Sequence, residues 1–360
     1  MTYSAFLMFI LFLGSCSKTQ EENCFIEKDN TIYKEEKPFT AQQILTNKPE
    51  YLEVISLKNF RPFKQDSTEN ENNFQDEKLA EIKWRREKEE YKNFREKFYN
   101  QFSCSNKQRI GNTEYCLGKN NLGFWLLKID NHKADAYFLG LSFSHYYLNK
   151  IQTKPIINNG FLELEGSLVK IIQVGGLPGY EDYSAIEDGK LFKIKLDDLI
   201  KDSDNDGYND IFENSFGLNT DNKDTDGDGT DDFNDMNPLF TSEKNKFSEL
   251  YLQLLPTYAT DSDFKKKHYY FEVFKSDCAY FHEINPNEYR VLFSQENQNK
   301  QTDYLKVTDV FRFGISKIKK NKNNPKQFFI TEWGSSSVTD YSAEYKNDKW
   351  VLTMVGGSVI

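Results

Sequence analysis

The sequence predicts an α+β fold: two β-rich domains joined by a short acidic loop segment, with an N-terminal helix. Three observations predict it. Runs rich in aromatic and branched residues, with turn residues between them, recur from Gly123 to Leu196 and again after Lys246. The stretch from Glu77 to Phe102 has no Gly or Pro and places Tyr91, Phe94, Phe98 and Phe102 at spacings of 3, 4 and 4, one apolar stripe on a helix. Between the two strand-rich regions, Asp202 to Asp235 holds eleven Asp and one Glu against one Lys. That segment carries a net charge of −11 in a chain of net charge −10, so the remainder is close to neutral.

Residues 1–16 read as an export signal. Ala5 to Leu13 is apolar but far shorter than the roughly 20 residues of a membrane-spanning helix. Leu13-Gly14-Ser15-Cys16 resembles a bacterial lipobox, although no Lys or Arg precedes the apolar run. The resemblance implies that Cys16 is diacylated and becomes the N-terminus after cleavage. Ser17, where an Asp would favour inner-membrane retention, implies the outer membrane. Residues 17–40 are polar and aperiodic and are expected to be a tether; 64–77 is expected to be a loop.

The first domain is expected over 41–200. Its helix carries basic and acidic residues in alternation, so no nucleic-acid partner is expected. Strands are expected at 123–129, 134–143, 161–174 and 190–196, with turns at Asn158-Asn159-Gly160 and Pro178-Gly179. The second domain, 241–360, reads as strands at 267–274, 289–293, 311–315, 327–333 and 341–355. Lys346-Asn347-Asp348-Lys349 marks the turn of a final hairpin. An aromatic content of 15% is enough to fill two modest cores. Beyond Cys16, Cys24, Cys104, Cys116 and Cys278 permit three pairings. A Cys104–Cys116 bridge would close a hairpin-like loop around Gly111-Asn112, leaving Cys24 and Cys278 paired or free.

The acidic segment, bounded at 201–240, contains one pattern twice: D-x-D-x-D-G-x-x-D with an acid at the twelfth place. The first copy sets Asp202, Asp204, Asp206, Asp210 and Glu213 at positions 1, 3, 5, 9 and 12, with Gly207 at 6. The second sets Asp224, Asp226, Asp228, Asp232 and Asp235 there, with Gly229 at 6. This EF-hand-like spacing suits Ca2+, a hard cation that takes roughly six to eight oxygens from a loop wrapped around it. Alternate carboxylates turn inward, the glycine permits the sharp turn, and the backbone carbonyls of Tyr208 and Thr230 at position 7 supply a further ligand. A solvated linker would explain the charge but not two in-register copies.

The segment is similar to a pair of thrombospondin type 3 calcium repeats in the cysteine-free form of bacterial proteins. Asp235 to Pro238 matches that family's Asp-x-x-Pro ending, with Asn237 where animal members carry a cysteine. The resemblance covers about a tenth of the chain and implies a short acidic ribbon folded around structural calcium. Dockerin loops share the pattern but lie further apart than the 22 residues here, and Ile211-Phe212 and Phe233-Asn234 stand where dockerins carry small hydroxyls.

None of the four histidines, His132, His145, His268 and His282, sits in a zinc-ligand spacing. Cys278 and His282 lie four apart in an expected strand, too far for a thiolate pair. Gly175 to Gly179 lacks the Lys-Ser/Thr of a phosphate loop, and Gly334-Ser335-Ser336-Ser337 lacks the second glycine of a nucleophile elbow. The sequence therefore leads to a non-enzymatic, calcium-binding envelope lipoprotein, anchored to the membrane by lipid, with a structural role or an envelope-protein or glycan partner. A surface hydrolase acting on glycans or peptides, with structural calcium, is the alternative.

Overall fold

In the computed structural model the described residues are 22–26, 38–68, 77–173, 181–255, 264–294, 313–334 and 337–359. The leader with Cys16, the Pro178-Gly179 turn, Gly175-Gly176, Ser335-Ser336 and the start of the 311–315 strand lie outside them. Strands account for 39% and helices for 22%, so the chain is a β-rich fold, and the expectation of an α+β fold with an N-terminal helix is overturned. The stretch after Glu77 forms two short pieces, α2 (Glu77–Glu90) and α3 (Lys92–Lys97), interrupted at Tyr91. The aromatic stripe explains the break, because it begins only at Tyr91. Tyr91, Phe94, Phe98 and Phe102 are buried, whereas α2 buries nothing and leaves Leu79, Ile82 and Trp84 exposed. Tyr99 and Asn100, at φ 50° and 56°, turn the chain before Phe102 can join a helix.

The first α-helix, α1 (Ala41–Thr46), is closed by a capping box in which Thr40 and Gln43 exchange hydrogen bonds. A four-stranded antiparallel meander follows α3: β3 (Ser103–Ile110), β4 (Thr113–Lys119), β5 (Phe124–Asp130) and β6 (Lys133–Phe138). The β5–β6 turn puts Asn131 and His132 at φ 45° and 87°, the signature of a type I′ hairpin. A second sheet runs β2 (Leu52–Ser56), β10 (Glu181–Lys195), β9 (Phe161–Gln173), β7 (Tyr146–Leu148), with β8 (Ile157–Asn158) also on β9, and β10 runs into a helical turn, α4 (Leu196–Leu199).

The C-terminal sheet is ordered β1 (Phe25–Ile26), β14 (Ile318–Lys320), β15 (Gln327–Trp333), β16 (Ser337–Lys346), β17 (Lys349–Val359), with β13 (Gly314–Ile315) on β15. The final hairpin turns at Asn347 and Asp348, φ 51° and 57°, and pairs Tyr345 with Trp350. Residues 22–26 do not behave as tether. Phe25 and Ile26 pair in parallel with Ile318 and Lys319, and Cys24 is bonded to Cys278 across 254 residues. Cys104 and Cys116 are both reduced, and burial, then the adjacent Cys104 thiol, pushes the Cys116 thiol well up.

Two cores result, and the acidic segment belongs to one of them. The first gathers the meander and the β9–β10 sheet, and with them Tyr208, Ile211, Phe212, Phe216 and Leu218. The second collects Cys24, Cys278, α6 (Lys246–Leu254) through Phe247, Leu250, Tyr251 and Leu254, and the C-terminal sheet. A parallel two-stranded sheet, β11 (Phe271–Lys275) with β12 (Arg290–Ser294), is their common wall. Phe271 and Leu292 enter the first core, Phe274, Val291 and Phe293 the second. A loop segment merely joining two separate domains is not what forms. Between β11 and β12, α7 (Ala279–His282) is a helical turn in which His282 N–H bonds Cys278 O, so these two residues are not in a strand. Among the described residues no helix is long and apolar enough to cross a membrane.

Candidate metal centre

Each acidic loop is wound by its own aspartates. In the first, Asp202 accepts from Asn205 N (2.7 Å) and Gly207 N (3.2 Å), Asp204 from Asp206 N (3.1 Å) and Asp206 from Tyr208 N (2.7 Å). The second repeats this: Asp224 accepts from Gly227 N (2.9 Å) and Gly229 N (3.0 Å), Asp226 from Asp228 N (3.0 Å), Asp228 from Thr230 N (2.8 Å). Asn205 and Gly227 occupy the same left-handed position, φ 62° and 78°. Gly207 has a second reason to be glycine, since a Cβ there would lie 3.0 Å from the Phe233 ring.

Asp202 and Asp224 spend both oxygens on backbone amides, whereas Asp204, Asp206 and Asp226 each spend one and keep the other buried in the loop. Asp204 Oδ2, Asp206 Oδ2 and Asp226 Oδ2 are buried without a hydrogen-bond partner, and so are both oxygens of Glu213. Glu213 is 0% exposed. It rides on α5 (Asp210–Phe216), whose Ile211, Phe212 and Phe216 are packed into the first core, so the helix is fixed with the carboxylate against the loop. Three groups of carboxylates converge to within 4.8 Å: Asp202, Asp204 and Asp206; Asp224, Asp226 and Asp228; and Asp206, Glu213 and Asp232.

The electrostatics are those of a site that wants a cation. Burial first, then Asp204 and Asp206, raises Glu213 to about 9. Burial, then Asp204, Asp202 and Asp232, raises Asp206 to about 7. Asp232 and Asp235 are each raised to about 6, mainly by burial. Buried carboxylates are ordinarily paired or metal-bound. Unpaired inward oxygens, all hard donors, fit Ca2+ or a similar hard cation and do not suggest a soft one.

The position-9 aspartates each cap the hydroxyl residue at position 2 of their own loop. Asp210 accepts from Ser203 N (2.8 Å) and Ser203 Oγ (2.9 Å) and pairs with Lys201 at 2.6 Å, and it belongs to none of the three groups. Asp232 accepts in the same way from Thr225 N (2.9 Å) and Thr225 Oγ1 (2.6 Å). Asp235 accepts from Asn237 N (3.0 Å), burial first and then Asp228 and Asp226 push its carboxyl up, and it too belongs to none of the three groups. The Tyr208 ring is buried and stacked on Phe212 at 4.5 Å, with its hydroxyl donating to His268 O; Thr230 is exposed.

Four residues that hold this site are not legible as such in the sequence. Asn209 clamps the first loop, donating to Phe138 O (3.0 Å) and Leu199 O (2.8 Å) and accepting from Phe138 N (3.0 Å). Asn237 donates to His282 O (2.6 Å) and Ile284 O (3.0 Å), which ties the segment's exit to α7 and its following turn. Arg290 donates to Phe233 O at 2.9 Å, and His268 lies flat on the Phe233 ring at 4.2 Å. The available signal was weak: asparagines at positions 8 of one loop and two beyond the end of the other. His282 packs on Phe240 and His145 beside Phe39, so these imidazoles sit among aromatic rings. Comparison of the chain with family models, with curated proteins and with solved structures finds no match in any of the three.

Proposed function

We propose that this chain is a calcium-binding envelope lipoprotein with a structural or interaction role, its 202–238 segment a pair of thrombospondin type 3-like repeats. The observation that carries the calcium reading is Glu213: a fully buried carboxylate with neither oxygen partnered, facing Asp206 and Asp232. In this reading Asp202, Asp204, Asp206 and Glu213 hold one ion, and Asp224, Asp226, Asp228 and Asp235 another, with the Tyr208 and Thr230 carbonyls completing the loops. The ions neutralise carboxylates that otherwise repel one another, and so fix α5 and the loops against both cores. The Leu13-Gly14-Ser15-Cys16 motif supports lipidation at Cys16 and attachment to the outer membrane, where an envelope protein or glycan is the fitting class of partner.

Calorimetric calcium titration of the full chain in detergent, beside Asp202→Ala and Asp224→Ala, tests this. Two sites, each lost with its own substitution, are expected. No heat at millimolar calcium would refute the reading. Lipidation is read separately, by mass spectrometry of the N-terminal peptide with Cys16→Ser as control; an unacylated Cys16 would remove the anchor from the proposal.

A further inference from the structure

The two acidic loops are near copies, yet their ninth-position aspartates have different surroundings. Asp210 is neutralised by Lys201 at 2.6 Å. Lys223 occupies the equivalent place before the second loop, and among the described residues it makes no ion pair with Asp232, although Asp232 N–H bonds Lys223 O at 2.7 Å just as Asp210 N–H bonds Lys201 O at 2.8 Å. Asp232 is instead 1% exposed and converges with Asp206 and Glu213, positions 5 and 12 of the other loop. The chain brings it there because Phe233, the next residue, is seated on the first loop: its ring covers Gly207 and meets Tyr208 at 5.1 Å, while Arg290 and His268 hold its carbonyl.

Resting on the calcium reading above, we infer that Asp232 of the second loop is a ligand of the first loop's ion, so that the two sites share a residue and bind calcium as a coupled pair. Its bonds from Thr225 N and Oγ1 occupy one lone pair on each carboxylate oxygen, and a carboxylate has about four acceptor positions, so a metal can still be met. The independent sign of a ligand at this point is Glu213, buried and unpartnered within the same group. Because Asp232 also grips Thr225 at position 2 of its own loop, winding the second loop sets the position of a ligand in the first. By linkage the effect is reciprocal.

The test isolates the first site. In the full chain, Asp224→Ala removes the second loop's leading ligand and leaves one calcium site to titrate. Adding Asp232→Asn is expected to weaken that remaining site by about tenfold or more, because one charged ligand is lost. Adding Asp231→Asn instead removes the same charge one residue away, from a side chain engaged with Asn234, and is expected to change affinity by less than about twofold, as for a screened charge. Equal affinity in Asp224→Ala and Asp224→Ala/Asp232→Asn overturns the assignment of Asp232 alone. No calcium binding in the unmodified chain overturns the calcium reading and this inference with it. The unmodified chain gives a second reading that a misfolded variant cannot spoil: its two binding events are expected to be positively coupled, and two independent sites would overturn the inference.

Discussion

Replacing Glu213 by glutamine should reverse the order of stability with calcium. The wild-type carboxylate is fully buried, has no hydrogen-bond partner and faces Asp206 and Asp232. Burial and the neighbouring carboxylates raise its pKa from 4.5 to about 9, so at pH 7 folding in chelator must protonate a group that is ionised in the unfolded chain. Glutamine needs no such proton, and Glu213→Gln should there be more stable than wild type by up to about 3 kcal/mol. With calcium the sign changes. A ligand at 100 times its Kd stabilises the folded state by about 2.7 kcal/mol, and a variant whose Kd is about a hundredfold weaker retains only about 0.4 kcal/mol of that at the same concentration. Urea denaturation of both proteins, in chelator and in calcium, reads all four values. Parallel curves, with the variant displaced equally in both conditions, would refute the reasoning, since Glu213 would then be a packing residue with no link to an ion.

Asn209→Ala removes three hydrogen bonds, to Phe138 N, Phe138 O and Leu199 O, and is expected to cost about 2–4 kcal/mol in chelator as well as in calcium, measured by the same denaturation. Opening the 254-residue span by Cys24→Ser with Cys278→Ser should lower stability by about 2–5 kcal/mol, read as an earlier urea midpoint that reductant no longer shifts. Burial lowers the His145 pKa from 6.5 to about 4, so the folded state resists a proton that the unfolded state accepts. Its contribution is intact above pH 6.5 and is lost as pH falls towards 4, by up to about 3 kcal/mol; the stability difference between wild type and His145→Phe should therefore vary across that window and be flat above it.

The parts of this molecule that sequence could foresee are those written locally. Asp202, Asp204 and Asp206, and likewise Asp224, Asp226 and Asp228, come together because winding the first half of such a loop needs only its own amides and carboxylates. The Asn347-Asp348 hairpin was legible for the same reason, both residues tolerating positive φ. What was missed depends on distant partners. The break at Tyr91 follows from where the core lies, since helical propensity continues through it. Strand β1 is two residues long, too short for any periodicity, and exists because Ile318 and Lys319 offer an edge. That Asp210 and Asp232 also cap the second residue of their loops does not follow from loop spacing, and that Asp232 converges with Asp206 and Glu213 of the other loop depends on where Phe233 packs. The hydroxyl at position 2, Ser203 and Thr225, was the signal of the capping role. Cys24–Cys278 was one pairing among three until the fold brought residue 24 beside α7.

The pairing of β1 with β14, next to the Cys24–Cys278 bond, also decides where mechanical load enters the protein. Tension applied to the chain ahead of residue 22 reaches the C-terminal core first, through a covalent bond and two residues of parallel strand, before it can reach the acidic loops or the meander. With the bridge closed, the chain between the two cysteines is shielded from a pull at that end; with it reduced, the same pull must peel β1 from the edge and then draw on α1 and the first core in turn. The oxidation state of one pair of cysteines thus sets whether the amino end is a rigid mooring or a line that pays out under load.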